Sequence, residues 1–167
     1  MAIFYILTAL SALMFFGFVI LGVKKFGLLD CYSAYGPLWQ PDAHSKLNPW
    51  QIVTILSALL IVPVTCQTGE GNPYQFLGFL APVSLLLVGA SPDYQTDTFA
   101  NILHQAGAWS AVVFIVLYTI AIPKMLLVIL SLVIVALALS LCGKGKLMFW
   151  AEMAMYLSTY IILFATI

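Results

Sequence analysis

The chain has 167 residues, of which 63% are hydrophobic and 7% charged, with a formal net charge of zero. A soluble domain carries about 25% charged residues, so a chain with a mean hydropathy of +1.09 cannot cover its surface in water. A water-soluble globule is excluded, and without a basic block nucleic-acid binding has no support.

A hydrocarbon core of about 30 Å takes roughly 20 apolar residues in a helix, with about 17 as a practical floor. The first such run, 3–23, has no basic residue before it and Lys24 and Lys25 just after. That is the reverse of a cleavable signal peptide, so it is expected to stay as the first helix. The next piece, 24–49, carries the turn pairs Gly36-Pro37, Pro41-Asp42 and Asn48-Pro49. Its Tyr32, Tyr35 and Trp39 suit the headgroup region, and the piece is expected to lie as an irregular cap on the membrane surface. A segment of this length without regular structure is uncommon unless it has a role.

Two shorter apolar segments follow, 50–66 with Pro63 near its end and 75–90 with Pro82 inside. Between them, 67–74 (QTGEGNPY) reads as a short polar turn. Both segments are short for a full crossing and are expected to sit with little tilt, to thin the bilayer or to be partly re-entrant. The segments 99–122, 124–142 and 147–166 are long enough to cross, and Pro123 is placed to start the fifth helix. Backbone groups left open in lipid cost several kcal/mol each, so the expected fold is all-α: one domain, a polytopic bundle of six transmembrane helices.

Lysines orient it. There is no arginine, and Lys24, Lys25, Lys46, Lys144 and Lys146 fall on one side of a six-span model, with Lys124 opposite. The positive-inside rule places that richer side in the cytoplasm and both termini outside. Neither end carries a lipidation motif. Cys31, Cys66 and Cys142 are scattered and read as packing thiols.

Chemistry would come from ionisable groups within the membrane zone, which usually face a bundle interior and mark a function. The two candidates are His104 and Glu152. Each lies about five residues into its helix from the cytoplasmic end, about 8 Å below the same interface. Asp97, Asn101, His104 and Ala108 follow the spacing of one helix face, as do Glu152, Tyr156 and Thr159. Ala106, Gly107, Ala108, Ser110 and Ala111 give the fourth helix a small-residue surface that permits close approach. The expectation is a polar pocket opening toward the cytoplasm, holding a small polar or lipid headgroup ligand, in a protein with a transport-related role. A chain this small would act as a homo-oligomer in transport.

Other readings stay open. His104 with Asp93 or Glu152 can serve acid–base chemistry in a membrane-embedded lipid hydrolase, and Ser33, His104 and Asp93 fall on one side as a possible triad. A Glu–His pair can also be a hydrogen-bonded staple between helices in a structural or assembly subunit, or Glu152 can reach toward Lys144 or Lys146. Asp93 and Asp97 have the positions of turn and cap residues. No cofactor is called for. Metal binding lacks an HExxH, with His44 and His104 sixty positions apart. No inverted repeat is visible, which weighs against the usual secondary-transporter design.

The stretch CYSAYG after the first helix, and GASPDYQTDT followed by His104-Gln105-Ala106-Gly107-Ala108, resemble motifs of small six-helix bacterial inner-membrane proteins of unknown function. The likeness covers the layout of most of the chain and puts Ser33, Tyr35, Asp93 and His104 on the motif positions. It implies Ser33 and Tyr35 as further ligand-binding positions, and no reaction. A more distant likeness is to alkaline-ceramidase-like membrane hydrolases, from which this sequence departs by lacking the three-histidine metal set and a seventh helix.

Overall fold

The computed structural model describes residues 1–39, 48–121, 133, 134, 136, 137, 140, 141 and 146–167. Among these the secondary structure is helical, with no strand. The helices are α1 (Ala2–Phe26), α2 (Tyr35–Leu38), α3 (Pro49–Thr68), α4 (Gln75–Gly89), α5 (Thr98–Ile120) and α6 (Leu147–Thr166). Most of the expected span 124–142 lies outside the described residues, as do Asp42, His44, Lys46, Pro123, Lys124, Cys142 and Lys144.

Helices α1, α3, α5 and α6 are long and apolar enough to cross a membrane. With 15 residues, α4 reaches only about 22 Å, less than a hydrocarbon core. The outer surface is greasy: Leu13 is 73% exposed, Trp109 64% and Ile6 63%. Such a surface in water would be an association hazard, whereas in a bilayer it is the ordinary outer face.

Each helix end has a local cause. Gly27 closes α1 at φ 79°, donating its N–H to the Val23 carbonyl at 2.9 Å, a backbone angle that favours glycine. Lys24 and Lys25 in the last turn of α1 complement the negative end of the helix dipole. Asn48 caps α3, its side-chain oxygen accepting from the Trp50 N–H at 2.9 Å, with Pro49 at the first helical position. Asp97 caps α5 by accepting from the Ala100 N–H at 2.6 Å.

The helices α1, α3, α4 and α5 pack as successive neighbours, and α6 lies against α1 and α3. Small residues permit the tightest of these contacts. A Cβ on Gly107 of α5 would stand 2.7 Å from the Ser84 carbonyl oxygen and 2.8 Å from Leu87 Cβ of α4. Hydroxyls tie the layers together. Ser11 of α1 donates to the Ser57 carbonyl of α3 at 2.8 Å, and its oxygen pairs with the Tyr160 hydroxyl of α6 at 2.7 Å. At the far end, Tyr118 of α5 donates to the Thr65 carbonyl of α3 at 3.0 Å.

The described part of the segment between α1 and α3, residues 27–39, departs from an irregular surface cap. It contains the short helix α2, and Tyr32 and Tyr35 are 3% and 0% exposed. Gly22 makes the space: a Cβ there would meet the Tyr35 ring at 2.9 Å. The Tyr35 hydroxyl donates to the Gly27 carbonyl at 2.8 Å, so the ring folds the chain back against α1 instead of resting among headgroups. Burial pushes the Tyr35 phenol up from its ordinary value, which keeps it a neutral donor. Trp39 stays nearer the surface, with the Lys25 ammonium 4.4 Å from its ring centre, a cation–π contact.

Candidate functional site

One end of the bundle collects the sequence's polar candidates. The segment 27–34 crosses this end beside the start of α6. The Glu152 carboxylate accepts the backbone N–H of Tyr32 at 2.5 Å, and at the N-terminal cap of the same helix Lys146 pairs with Asp30. Lys146 is thereby directed to Asp30 rather than to Glu152. Tyr32 in turn bonds Thr54 of α3 at 3.0 Å. Because Thr54 spends its own proton on the Trp50 carbonyl at 2.8 Å, the Tyr32 hydroxyl is the donor. Burial holds that phenol well above its usual range, so it remains a neutral hydroxyl.

His104 is 4% exposed and lies near-parallel to two aromatic rings. Tyr94, from the turn before α5, lies parallel to it at 4.0 Å between centroids, and Trp50 of α3 lies at 6.2 Å on a similar tilt. Its buried Nδ1 has no hydrogen-bond partner among the described residues. Buried polar atoms of this kind are uncommon in folded proteins, which draws attention to the space beside the ring.

That space is a cavity of about 300 Å³ lined from α3, α4, α5, α6 and the segment after α1. Its polar wall includes Tyr32, Ser33, His104, Glu152, Tyr156 and Thr159, and the rest is apolar, with Ile61, Pro82, Leu85 and Val88 at its back. Its rim includes Trp109, Val112 and Met148, which are 64%, 41% and 57% exposed. The cavity therefore reaches the exposed apolar flank of α5 and α6.

The structure brings together Ser33, His104, Glu152 and Tyr156 around this space. No hydrogen bond among the described residues joins His104 to Glu152; the hydrogen bond the carboxylate makes is the one it accepts from the Tyr32 N–H. Nor does Ser33 engage His104; its hydroxyl lies 3.3 Å from the Cys31 thiol. Tyr35, Asp93, Asp97 and Asn101 fall outside the lining. Tyr35 is a packing residue of the α1–α3 segment. Asp97 and Asn101 are exposed on the first turn of α5, beyond its packed part, and Asp93 is exposed in the turn, its carbonyl accepting the N–H groups of Thr96 and Asp97 at 2.9 Å each.

Sequence spacing gave no hint of Tyr94 or Trp50 as part of this environment, because both come from segments outside α5 and only the tertiary fold brings them to His104; Tyr160, one turn past Tyr156 on the same face of α6, was within reach of the spacing argument. Among the described residues, no three His, Cys, Asp or Glu side chains gather closely enough to hold a metal ion. A second hollow of about 500 Å³ between α1 and α6 is walled by apolar residues and Lys24. No family model, curated protein or solved structure matches the chain.

Proposed function

We propose that this chain is a six-crossing membrane protein, termini outside, whose cytoplasm-side cavity binds an amphiphilic ligand by its polar head. The observation that carries this reading is the cavity of about 300 Å³, reaching the apolar flank of α5 and α6, with His104 and Glu152 on its wall. Ligand sites are mostly apolar concavities from about 300 Å³ upward with a few placed polar groups, and this one has that composition. Its rim of Trp109, Val112 and Met148 suits an apolar tail entering from the bilayer.

The topology has independent support. Helices α5 and α6 both start at the end that carries Lys24, Lys25 and Lys146, which agrees with one further crossing between them and with that end facing the cytoplasm. An ionisable residue at this depth costs about 2.5–3.5 kcal/mol or more on insertion. A backbone N–H alone is a modest return on that cost, whereas a ligand contact gives the carboxylate a reason to be there.

Native mass spectrometry of the protein released from its own membrane tests this reading. The wild type is expected to carry a bound amphiphile that Ala151→Phe, which fills the cavity from α6, no longer retains. Leu13→Phe, on the lipid-facing surface of α1, should retain it. Equal retention by all three proteins would refute the reading.

A further inference from the structure

The polar wall of the cavity is acidic and aromatic. Glu152 lines it with Tyr32, Tyr156 and Tyr160, and no lysine or arginine is among the described lining residues. The rings are held in place by one another. Tyr32 and Tyr156 meet edge-on with centroids 6.2 Å apart, while Phe15 stacks on Tyr156 at 3.9 Å and leans on Tyr32 at 4.8 Å. Further along, Tyr160 is fixed through its hydroxyl to Ser11 at 2.7 Å.

A carboxylate and aromatic rings on one wall select positive charge, and a cation with a greasy periphery most of all. A bare divalent ion needs several oxygen ligands, and one carboxylate does not supply them. A phosphate or carboxylate head would face Glu152 with no lysine or arginine among the described lining residues, and only the buried His104 imidazole, to offset the repulsion. A zwitterionic phospholipid head meets the same difficulty through its phosphate.

Building on the amphiphile-binding reading, we propose that the cavity selects an organic ammonium on an apolar tail, with no phosphate beside it. The ammonium sits against Glu152 and the tyrosine rings. The tail runs along Ile115 and Val112 to the mouth beside Trp109, all of which line the same space.

Trp109 supplies the reporter. The protein is placed in nanodiscs of uncharged lipid and titrated with ω-bromoundecyl compounds that share one quenching tail and differ in head: trimethylammonium, hydroxyl and phosphate. A lysophosphatidylcholine with the same tail is the fourth probe. Concentrations are counted per bilayer lipid, and quenching in Trp109→Phe is subtracted as background from the other tryptophans.

The trimethylammonium probe should quench Trp109 at about tenfold lower concentration than the other three. Glu152→Gln, whose amide oxygen can still accept the Tyr32 N–H, should erase that preference while the hydroxyl probe quenches as before. Equal or stronger quenching by the hydroxyl or phosphate probe overturns the ammonium assignment, as does a preference that survives Glu152→Gln. Equal or stronger quenching by the lysophospholipid assigns the site to a lipid headgroup and overturns the phosphate-free ammonium assignment. If instead Ala151→Phe leaves quenching by every probe unchanged, the amphiphile-binding reading itself falls, a result distinct from the others.

Discussion

Replacing Gly107 with alanine adds one methyl group where α5 meets the α4 backbone. The new Cβ would stand 2.7 Å from the Ser84 carbonyl oxygen, 2.8 Å from Leu87 Cβ and 3.0 Å from the Val88 nitrogen. Two of these three are backbone atoms, so no side-chain rotation relieves the crowding and the helices must part. Overpacking costs about 1–3 kcal/mol, and the rigid surroundings put this case near the upper end. Alanine returns about 1 kcal/mol through its better helix propensity, leaving a net loss of about 1–2 kcal/mol. Gly17 of α1 provides the matched control, because a Cβ there meets nothing within 4 Å. Gly17→Ala should therefore be neutral or up to about 1 kcal/mol more stable. Reversible unfolding by dodecyl sulfate in mixed micelles, followed by circular dichroism, measures both. If Gly107→Ala proves as stable as Gly17→Ala, the close α4–α5 approach is wrong.

Two further outcomes are expected in the same assay. Asn48→Ala removes the α3 cap and strands the Gly36 carbonyl, to which the Asn48 amide donates at 2.9 Å; the loss should be about 2–3 kcal/mol. Asn48→Asp keeps the cap acceptor and should recover part of it, so equal losses would refute this account of Asn48. A double-mutant cycle on Ser11→Ala and Tyr160→Phe should give a coupling of about 0.6 kcal/mol, and up to about 1.7 kcal/mol if the bond is well shielded; strict additivity would show that the α1–α6 hydroxyl contact does not form.

The helices were legible because length and apolarity carry the signal. The run 3–23 corresponds to Ala2–Phe26, and the shorter run 75–90 to Gln75–Gly89, since a long apolar stretch in a bilayer leaves little choice but helix. Small residues on the fourth expected span announced a close helix contact, and Gly107 makes one. The surroundings of the candidate site were not legible. Residues at one depth on two helices can point toward or past each other, and spacing along a single helix does not fix that rotation. The Tyr32 N–H that occupies Glu152 is a backbone group in a segment with no periodicity to read. Tyr94 and Trp50 reach His104 by contacts between separate segments, which no local pattern encodes. The stripe of Asp97, Asn101 and His104 has the right period, yet the bundle covers only its last member.

The most direct test of an amphiphile site between α3 and α6 is a crystallographic map of the protein grown from a lipidic mesophase. The account expects elongated density that begins beside Glu152 and Tyr156 and leaves the bundle past Trp109. Side chains closing that space, with the Glu152 carboxylate bonded to His104 instead of the Tyr32 N–H, would contradict it.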